Sequence, residues 1–425
     1  MPMLITAPSG LRILVEELPH THSVSLGCFV STGARHEPTP LGGVAHFIEH
    51  MCFKGTTHFP TARLISERIE GVGGILNAST SHESTIYWGK VADAHFDRLL
   101  GLIADLVCRP LFDLRELEKE RRVIIEEIRG IQDIPDDWIY DLLHEAMWGV
   151  QPLGRDIAGT IETVSAMSGS AIIGFWQRHY SLANLVVSVA GNVRAEAVIP
   201  AVEAAFAGFS QGSIAEAPPT APALAGPNLV LRPRDTEQGH FCIGFPGLPY
   251  TDPDRREMQV LDTILGGGMS SRLFQALRED HGLAYNVGSY HTEYSDAGMW
   301  VIYASVEPEA LRDALTMSMD ILRTIARDGI TDDELQLVKE QVKGGILLSL
   351  EDTWSVASRN GAHQLRYGTV VTVEKVVAEV EAVTAAGVLR VAQRLIKPTS
   401  MHLAVIGPYN DDDRRDLEQM LRSGW

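Results

Sequence analysis

A segment rich in proline, alanine and glycine near the middle of the chain most constrains its fold. Residues Gly212–Asn228 read GSIAEAPPTAPALAGPN, with one charged residue, Glu216, and no helical or strand periodicity. This composition is typical of a linker. It leaves about 210 residues before it and about 200 after it, enough in each half for a packed core. The sequence therefore predicts two domains, 1–211 and 229–425, joined by a linker at 212–228.

The two halves present similar elements in the same order. Each opens with strand-like segments, LRILVEEL and SVSLGCFVSTG in the first half and NLVLRP and GHFCIGFPG in the second. A turn marked by proline, a segment of helical period and a long charged helix follow in both halves. Hairpin-like strands favour antiparallel pairing. The order predicts an α+β fold of two homologous domains, each a mainly antiparallel sheet packed with helices.

Composition narrows the class of protein. Hydrophobic residues make up 45% of the chain and charged residues 21%, which is typical of globular rather than disordered proteins. The formal net charge of -19 argues against a nucleic-acid partner, because phosphate contacts need clustered Lys and Arg. The excess of acidic residues either keeps the surface soluble or lines a cavity that favours basic peptides.

Apolar segments and cysteines indicate the compartment. No stretch approaches the roughly 18 continuous apolar residues of a membrane helix, so no membrane association is expected. The N-terminus lacks a basic region followed by an apolar run, so a signal peptide is not expected. Four cysteines without a CxxC pair are too few for a disulfide scaffold or a cysteine-ligated zinc site. We therefore expect a cytoplasmic chain.

The string H-F-I-E-H in the first half is the first indication of chemistry. The segment Pro40–Phe53 has helical spacing and can be capped by Thr39. His46, Glu49 and His50 then share one face of the helix. Two imidazoles one turn apart can bind one metal ion, with the glutamate beside that ion. The string alone fits satisfied core histidines equally well, so a third ligand has to decide.

A charged helix later in the same half supplies candidates for that ligand. In Glu116–Ile131, apolar residues that include Val123 are predicted to mark the buried face, and Glu120 and Glu127 lie two turns apart on it. Glu126 lies on the solvated side, where ion pairs with neighbouring arginines explain it. A buried carboxylate needs a cation or hydrogen-bond partners, which makes Glu127 the predicted ligand. Glu120 would orient a ligand from behind, with a surface ion pair as the alternative.

The predicted ligand set indicates catalysis. Two neutral histidines and one carboxylate leave a coordination position open, as in catalytic zinc sites, and this set suits zinc best. The metal lowers the pKa of a bound water towards about 7 and polarises a carbonyl. Glu49 is placed to take the proton of that water and pass it to a leaving amine. The pattern predicts peptide-bond hydrolysis with one zinc ion per chain.

These residues resemble a known family of peptidases. The order H-x-x-E-H is the signature of inverzincins. The strings GGVAHFIEHMCFKGT and ERRVIIEEI are similar to the pitrilysin/insulinase superfamily, in particular its mitochondrial-processing-peptidase-like branch. The resemblance also places the third ligand at Glu127 and the accessory carboxylate at Glu120. It extends to GGILNASTSHESTIYW, where it implies that Asn77, Ala78 and Ser79 contact the substrate.

The resemblance continues in the second half. The string GGGMSSRLFQALREDHGLAYNV is similar to the family stretch with an Arg and a Tyr seven apart, here Arg278 and Tyr285, which it implies as substrate contacts. Both side chains can hydrogen-bond a substrate carbonyl or an oxyanion. Without the resemblance, Asn77 would be a turn residue, Arg278 a solvated residue paired to a neighbouring acid, and Tyr285 a core aromatic. Because REMQVLDTILGG stands where the first half has its zinc helix, one metal site is expected.

The resemblance also implies a function and a quaternary structure. Family enzymes enclose their substrate in a clamshell chamber built from two such two-domain units, and this chain has one unit. A second subunit is therefore implied, as a homodimer or, alternatively, a heterodimer. The leading prediction is a zinc metalloendopeptidase of unfolded peptides or presequences. A non-catalytic assembly subunit of a larger complex is the main alternative, and a metal-dependent hydrolase of non-peptide bonds is a third.

Overall fold

The computed structural model describes residues 2–220 and 222–423, which form two sheets covered by helices. The strands are β1 (Met3–Thr6), β2 (Arg12–Glu17), β3 (Ser23–Val30), β4 (Ile75–Thr80), β5 (Thr85–Ala92), β6 (Leu185–Gly191), β7 (Asn228–Pro233), β8 (Gly239–Pro246), β9 (Ala284–Glu293), β10 (Gly298–Val306) and β11 (His402–Gly407). The helices are α1 (Val44–Cys52), α2 (Ala62–Glu70), α3 (Phe96–Cys108), α4 (Leu114–Asp133), α5 (Pro135–Trp148), α6 (Ile161–Ala166), α7 (Gly169–His179), α8 (Ala195–Ala205), α9 (Arg255–Gly266), α10 (Leu311–Asp328), α11 (Asp332–Ser349), α12 (Thr353–Tyr367), α13 (Val373–Glu381), α14 (Ala385–Leu395) and α15 (Asp411–Ser423). The predicted α+β class is confirmed.

The two sheets share one strand order. The first runs β1-β2-β6-β3-β5-β4 and the second runs β7-β11-β8-β10-β9. In each, one pair is parallel, β2 with β6 and β7 with β11, and the other neighbours are antiparallel. The second sheet therefore matches the first strand for strand once β1 is set aside. The predicted duplication and the mainly antiparallel sheets are both present.

The compact units of the structure are not continuous in sequence. The division in mid-chain falls between Pro218 and Pro219, inside the predicted linker, and the described residues between α8 and β7 form no helix or strand. However, 130–155 belongs to the second unit and 347–372 belongs to the first. The predicted domains 1–211 and 229–425 therefore do not describe these two segments.

Each of these two segments carries one helix that covers a sheet. In the second unit, α5 packs on β8 and β11, and its buried residues Ile139, Leu143 and Met147 join the apolar side of that sheet. In the first unit, α12 packs on β3 and β6 with Val356 and Ala357. The apolar face of a helix requires burial but does not specify which sheet provides it. The sequence pattern could therefore not predict this exchange.

The start of α1 differs from the prediction. Its first helical residue is Val44 rather than Pro40, because Thr39–Leu41 forms a separate 3-10 turn. The cap is the carboxylate of Glu37 rather than Thr39, and it accepts from the backbone N–H groups of Gly43 and Ala45 at 2.8 Å each. A negative charge at this position also suits the partial positive charge of a helix N-terminus.

A glycine is required where α1 begins. Gly43 has φ 90°, and a Cβ built on it would lie 2.3 Å from the carbonyl oxygen of Ala158. The backbone conformation and the close approach both exclude a larger residue. These contacts fix the direction in which α1 presents its polar face.

Candidate metal centre

Three side chains from two helices of the first unit meet at one point. His46 and His50 lie on α1 and Glu127 lies on α4. The Nε2 atoms of the two imidazoles are 3.2 Å apart, and the oxygens of Glu127 lie 3.8 Å from His46 Nε2 and 3.4 Å from His50 Nε2. A tetrahedral zinc ion, with bonds of about 2.0–2.1 Å, separates its ligand atoms by about 3.3 Å. The donor atoms are therefore of the right kind and spacing for zinc.

This group is unique in the part of the chain that the structure describes. No other three His, Cys, Asp or Glu side chains bring their ligand atoms within 4.8 Å of one another there. All four cysteines are free and buried, which agrees with their exclusion as ligands. The described part of the second unit thus offers no comparable group, and the expectation of one zinc ion per chain matches the donors present.

The exposure of Glu127 corrects one step of the sequence argument. Its side chain is 41% exposed, and Val123, which was predicted to mark the buried face, is 48% exposed. The buried stripe of α4 is narrower and includes Ile124 and Ile128, so Glu127 lies at its margin. Burial therefore does not explain the presence of Glu127. Its position opposite two imidazoles does, and its exposure leaves the site open to solvent.

The neighbouring Glu126 behaves as predicted. It is 70% exposed and pairs with Arg129 one turn along α4. Glu127 contacts both histidines whereas Glu126 pairs with Arg129, so adjacent glutamates on one helix have different environments. This contrast provides a matched control for the role of Glu127.

The charges of the site favour a cation. Burial alone would lower the pKa of His50, but hydrogen bonds with Glu120 and Glu127, and their charges, raise it to about 9. Burial and the neighbouring His50 lower the pKa of His46 to about 4. The hydrogen bond with His50 holds the pKa of Glu127 below its usual value. The two carboxylates therefore stabilise positive charge at the point where the three donor atoms meet.

Glu120 lies behind His50. Its side chain is 5% exposed, with Oε2 3.1 Å from His50 Nδ1 and Oε1 2.7 Å from Lys54 Nζ. Burial would raise the pKa of Glu120, but hydrogen bonds with His50 and Lys54 lower it. The alternative of a surface ion pair is wrong, because the carboxylate is buried against a candidate ligand. Lys54 was not predicted, because its contact with Glu120 joins residues far apart in sequence and no local pattern indicates it.

Glu49 faces the same site from α1. Its Oε2 accepts a hydrogen bond of 2.5 Å from the hydroxyl of Thr80 at the end of β4. Burial raises the pKa of Glu49, while the Thr80 hydrogen bond and the charge of His50 act in the opposite direction. A carboxylate with a raised pKa is a better proton acceptor near neutral pH. Thr80 was also missed, although it directly follows the predicted substrate residues in sequence.

The predicted substrate residues lie on β4, at the edge of the first sheet. β4 pairs only with β5, so its other side has no strand partner within the described sheet. Asn77 and Ser79 are exposed, whereas Ala78 and Thr80 are half-buried, as expected for alternation along a strand. Asn77 is a strand residue, so its interpretation as a turn residue is wrong.

Arg278 and Tyr285 lie together in the second unit. Arg278 is in the π-helical segment Phe274–Asp280, and its Nη1 donates to the backbone oxygen of Tyr285 at 2.8 Å. Its guanidinium also lies over the rings of Phe274 and Tyr285, with centroid distances of 5.0 and 5.1 Å. Tyr285 is 73% exposed, so it is not a core aromatic. Both groups are thus available to a ligand.

Comparison with known proteins identifies the family. The sequence model of the family described as insulinase (peptidase family M16) matches residues 12–161, and that of the peptidase M16 inactive domain matches residues 167–342. An uncharacterized zinc protease of Bacillus subtilis is 40% identical over 407 residues, which are 95% of this chain and 97% of that protein. The chain belongs to the insulinase (M16) family. An uncharacterized zinc protease of Streptomyces coelicolor is 38% identical, over 96% of this chain and 89% of that protein.

Solved structures agree with this M16 fold. A protease from Helicobacter pylori superposes with a TM-score of 0.89 at 21% identity, covering 96% of this chain and 99% of that chain. An M16 inactive-domain structure from Pseudomonas fluorescens gives the same TM-score at 18% identity, over 96% and 98%. The relatives at 40% and 38% identity confirm the predicted pitrilysin/insulinase membership, and these structures confirm the fold. None of the helices described here has the length and apolar composition to span a lipid bilayer.

Proposed function

We propose that this chain is a zinc metalloendopeptidase that hydrolyses peptide bonds of unfolded peptides or presequences. The observation that carries the proposal is the group formed by His46, His50 and Glu127, with Glu49 held beside it. Relatives that cover nearly the whole chain are named zinc proteases, which supports the same class.

The residues of the chain have separate roles in the proposed reaction. His46, His50 and Glu127 would hold a zinc ion, which when bound would supply a Lewis acid for the attacking water and the scissile carbonyl. Glu49 accepts a proton as the water oxygen bonds to the carbonyl carbon, and returns it to the nitrogen as the C–N bond breaks. One water is consumed, and a carboxylic acid and an amine form. The hydroxyl of Thr80 orients the carboxylate of Glu49 for both transfers.

Substrate binding is proposed to use two surfaces. The free side of β4 can add a peptide as a further strand, through Asn77, Ala78 and Ser79, with little demand on sequence. Arg278 and Tyr285 can hydrogen-bond a substrate carbonyl or the oxyanion that forms from it. A second subunit, identical or related, is proposed to complete an enclosed chamber.

The test combines metal content with cleavage. Zinc is measured by mass spectrometry, and hydrolysis of a quenched peptide is followed for the wild type, Glu49→Gln and the control Glu126→Gln. We expect about one zinc per chain in all three proteins. We expect Glu49→Gln to lower hydrolysis by about 10²- to 10⁴-fold, because the proton acceptor is lost. If zinc-loaded wild type cleaves no peptide, alone or with its co-purified partner, the assembly role replaces this proposal.

A further inference from the structure

The two histidines of the metal centre are held unequally. The Nδ1 atom of His46 is buried and has no hydrogen-bond partner among the described residues. The Nδ1 atom of His50 instead contacts Glu120, which in turn contacts Lys54. The partner behind a metal-binding histidine fixes the tautomer and orientation of its ring. At this centre, one histidine alone receives that constraint from a charged side chain.

Lys54 is placed to control the carboxylate behind His50. It follows the end of α1, where its backbone N–H donates to the carbonyl of Met51 at 3.1 Å. Its side chain, 28% exposed, returns to Oε1 of Glu120 at 2.7 Å. The other oxygen of Glu120 is thereby left for His50, at 3.1 Å. The three charged or polar groups form a single chain of contacts that ends at a predicted ligand.

The charge balance explains why a cation is needed there. Glu120 is buried, and among the described residues its carboxylate has only His50 and Lys54 as hydrogen-bond partners. A buried carboxylate that loses its cationic partner is costly, and it lowers that cost by turning towards solvent. That movement would take the acceptor away from Nδ1 of His50. The positive charge of Lys54 weakens the electrostatic attraction between Glu120 and His50. It also keeps the carboxylate in place, and a fixed acceptor orients the imidazole of His50 better than an absent one.

We propose that Lys54 is a positioning residue of the zinc centre and acts through Glu120. It holds the carboxylate so that His50 keeps Nε2 directed towards His46 and Glu127. The inference rests on the proposed zinc function, because it concerns a residue that does not itself contact the metal. The proposal gives Lys54, which is not a ligand, a role that neither the spacing of the ligands nor the helix faces indicate.

The test measures zinc affinity by competition with a chelator, on the full chain. We expect Lys54→Met to weaken zinc binding by about 10-fold, at the low end of the loss seen for residues behind metal ligands. Lys54→Arg keeps a donor and a charge and should stay within about 3-fold of the wild type. The control is Lys119→Met, because Lys119 precedes Glu120 but is 65% exposed and pairs with Glu116. It should leave affinity within about 2-fold.

A double substitution tests the route through Glu120. In a Glu120→Gln background, Lys54→Met should weaken zinc binding by no more than about 2-fold further, because the group it positions is gone. An equal factor in both backgrounds would overturn the inference. So would a Lys54→Met protein whose zinc-free form melts at a lower temperature while its zinc affinity is unchanged, since that result indicates a purely structural role. If the wild type binds no zinc, the proposed function fails as well, whereas the other outcomes leave it intact.

Discussion

The first and second units share an acid–hydroxyl contact between a helix and an edge strand. In the first unit, Glu49 of α1 accepts from Thr80 of β4 at 2.5 Å. In the second, Asp262 of α9 accepts from Ser289 of β9 at 2.6 Å and from the indole of Trp300 at 2.9 Å. Burial raises the pKa of both acids. The duplicated fold therefore keeps an acid next to its edge strand whether or not metal ligands surround it.

The surroundings of that acid differ between the units. Arg121 of α4 donates to the backbone carbonyl of Met167 at the end of α6, and Lys339 of α11 donates to that of Glu381 at the end of α13, so we take the two cations as matching positions. The residue before each cation is Glu120 in the first unit and Val338 in the second, and both are buried. The helix α9 also contains no histidine. A small set of residue differences on two helices thus separates the candidate metal centre of the first unit from the corresponding helix pair of the second, which brings no such group together among the described residues.

The largest test of this comparison concerns Glu127. Glu127 follows Arg121 by six residues, and Gly345 follows Lys339 by the same interval in α11. The second unit therefore has no carboxylate at the position of the third ligand. We expect Glu127→Gln to weaken zinc binding by more than about 100-fold, because loss of a ligand should exceed loss of a residue behind one. Glu126→Gln is the matched control, since Glu126 is exposed and pairs with Arg129. Chelator competition measures both, and equal losses would refute the assignment of Glu127.

A second test asks whether the second unit takes part in hydrolysis. We expect Tyr285→Phe to lower kcat by about 10- to 100-fold, with a smaller change in KM, because its hydroxyl is proposed to stabilise the oxyanion. Tyr409→Phe is the control: its hydroxyl also lies in the second unit but contacts the carbonyl of Pro308. Steady-state kinetics on one peptide substrate decide the matter. An unchanged kcat for Tyr285→Phe would restrict the chemistry to the first unit.

Helical and strand periods predicted much of the fold and the site. The spacing of His46, Glu49 and His50 predicted their common face, and the strand segments of both halves lie where the sequence indicated. These features depend on residues close in sequence, whose geometry is fixed by a single element. The matching order of strands and helices in the two halves was likewise enough to predict that the chain contains a duplicated domain.

Contacts distant in sequence were not predictable in the same way. The period of α4 gave the direction of Glu127 but not the width of the buried stripe, so Val123 was misplaced. Lys54 and Thr80 act across 66 and 31 residues, and no local pattern reports such hydrogen bonds. The exchange of α5 and α12 was missed for the same reason, since an apolar helix face fits either sheet.

The smallest expected effect tests an ion pair at the start of α11, at the place where α4 of the first unit pairs Glu116 with Lys119. Both oxygens of Glu334 contact Arg272, at 2.7 and 2.8 Å, and the backbone N–H of Thr331 donates to it at 2.8 Å. The Arg272 hydrogen bonds, against burial, lower the pKa of Glu334 to about 2. Because the folded pKa is lowered, the stabilisation is complete above the ordinary value of 4.5 and is lost as pH falls towards about 2.

Glu334→Gln should therefore lower the free energy of unfolding by about 1 kcal/mol at pH 7, a value reduced for solvent screening of a partly exposed pair. The difference from the wild type should stay constant down to about pH 5 and shrink below it, because the wild-type carboxylate then takes up its proton on unfolding. Thermal unfolding at pH 7, 5 and 3.5 measures this. Glu340→Gln, on the same helix but 72% exposed, should change stability little at any of these pH values. A difference that persists unchanged at pH 3.5 would mean that Glu334 acts through shape and hydrogen bonding rather than charge.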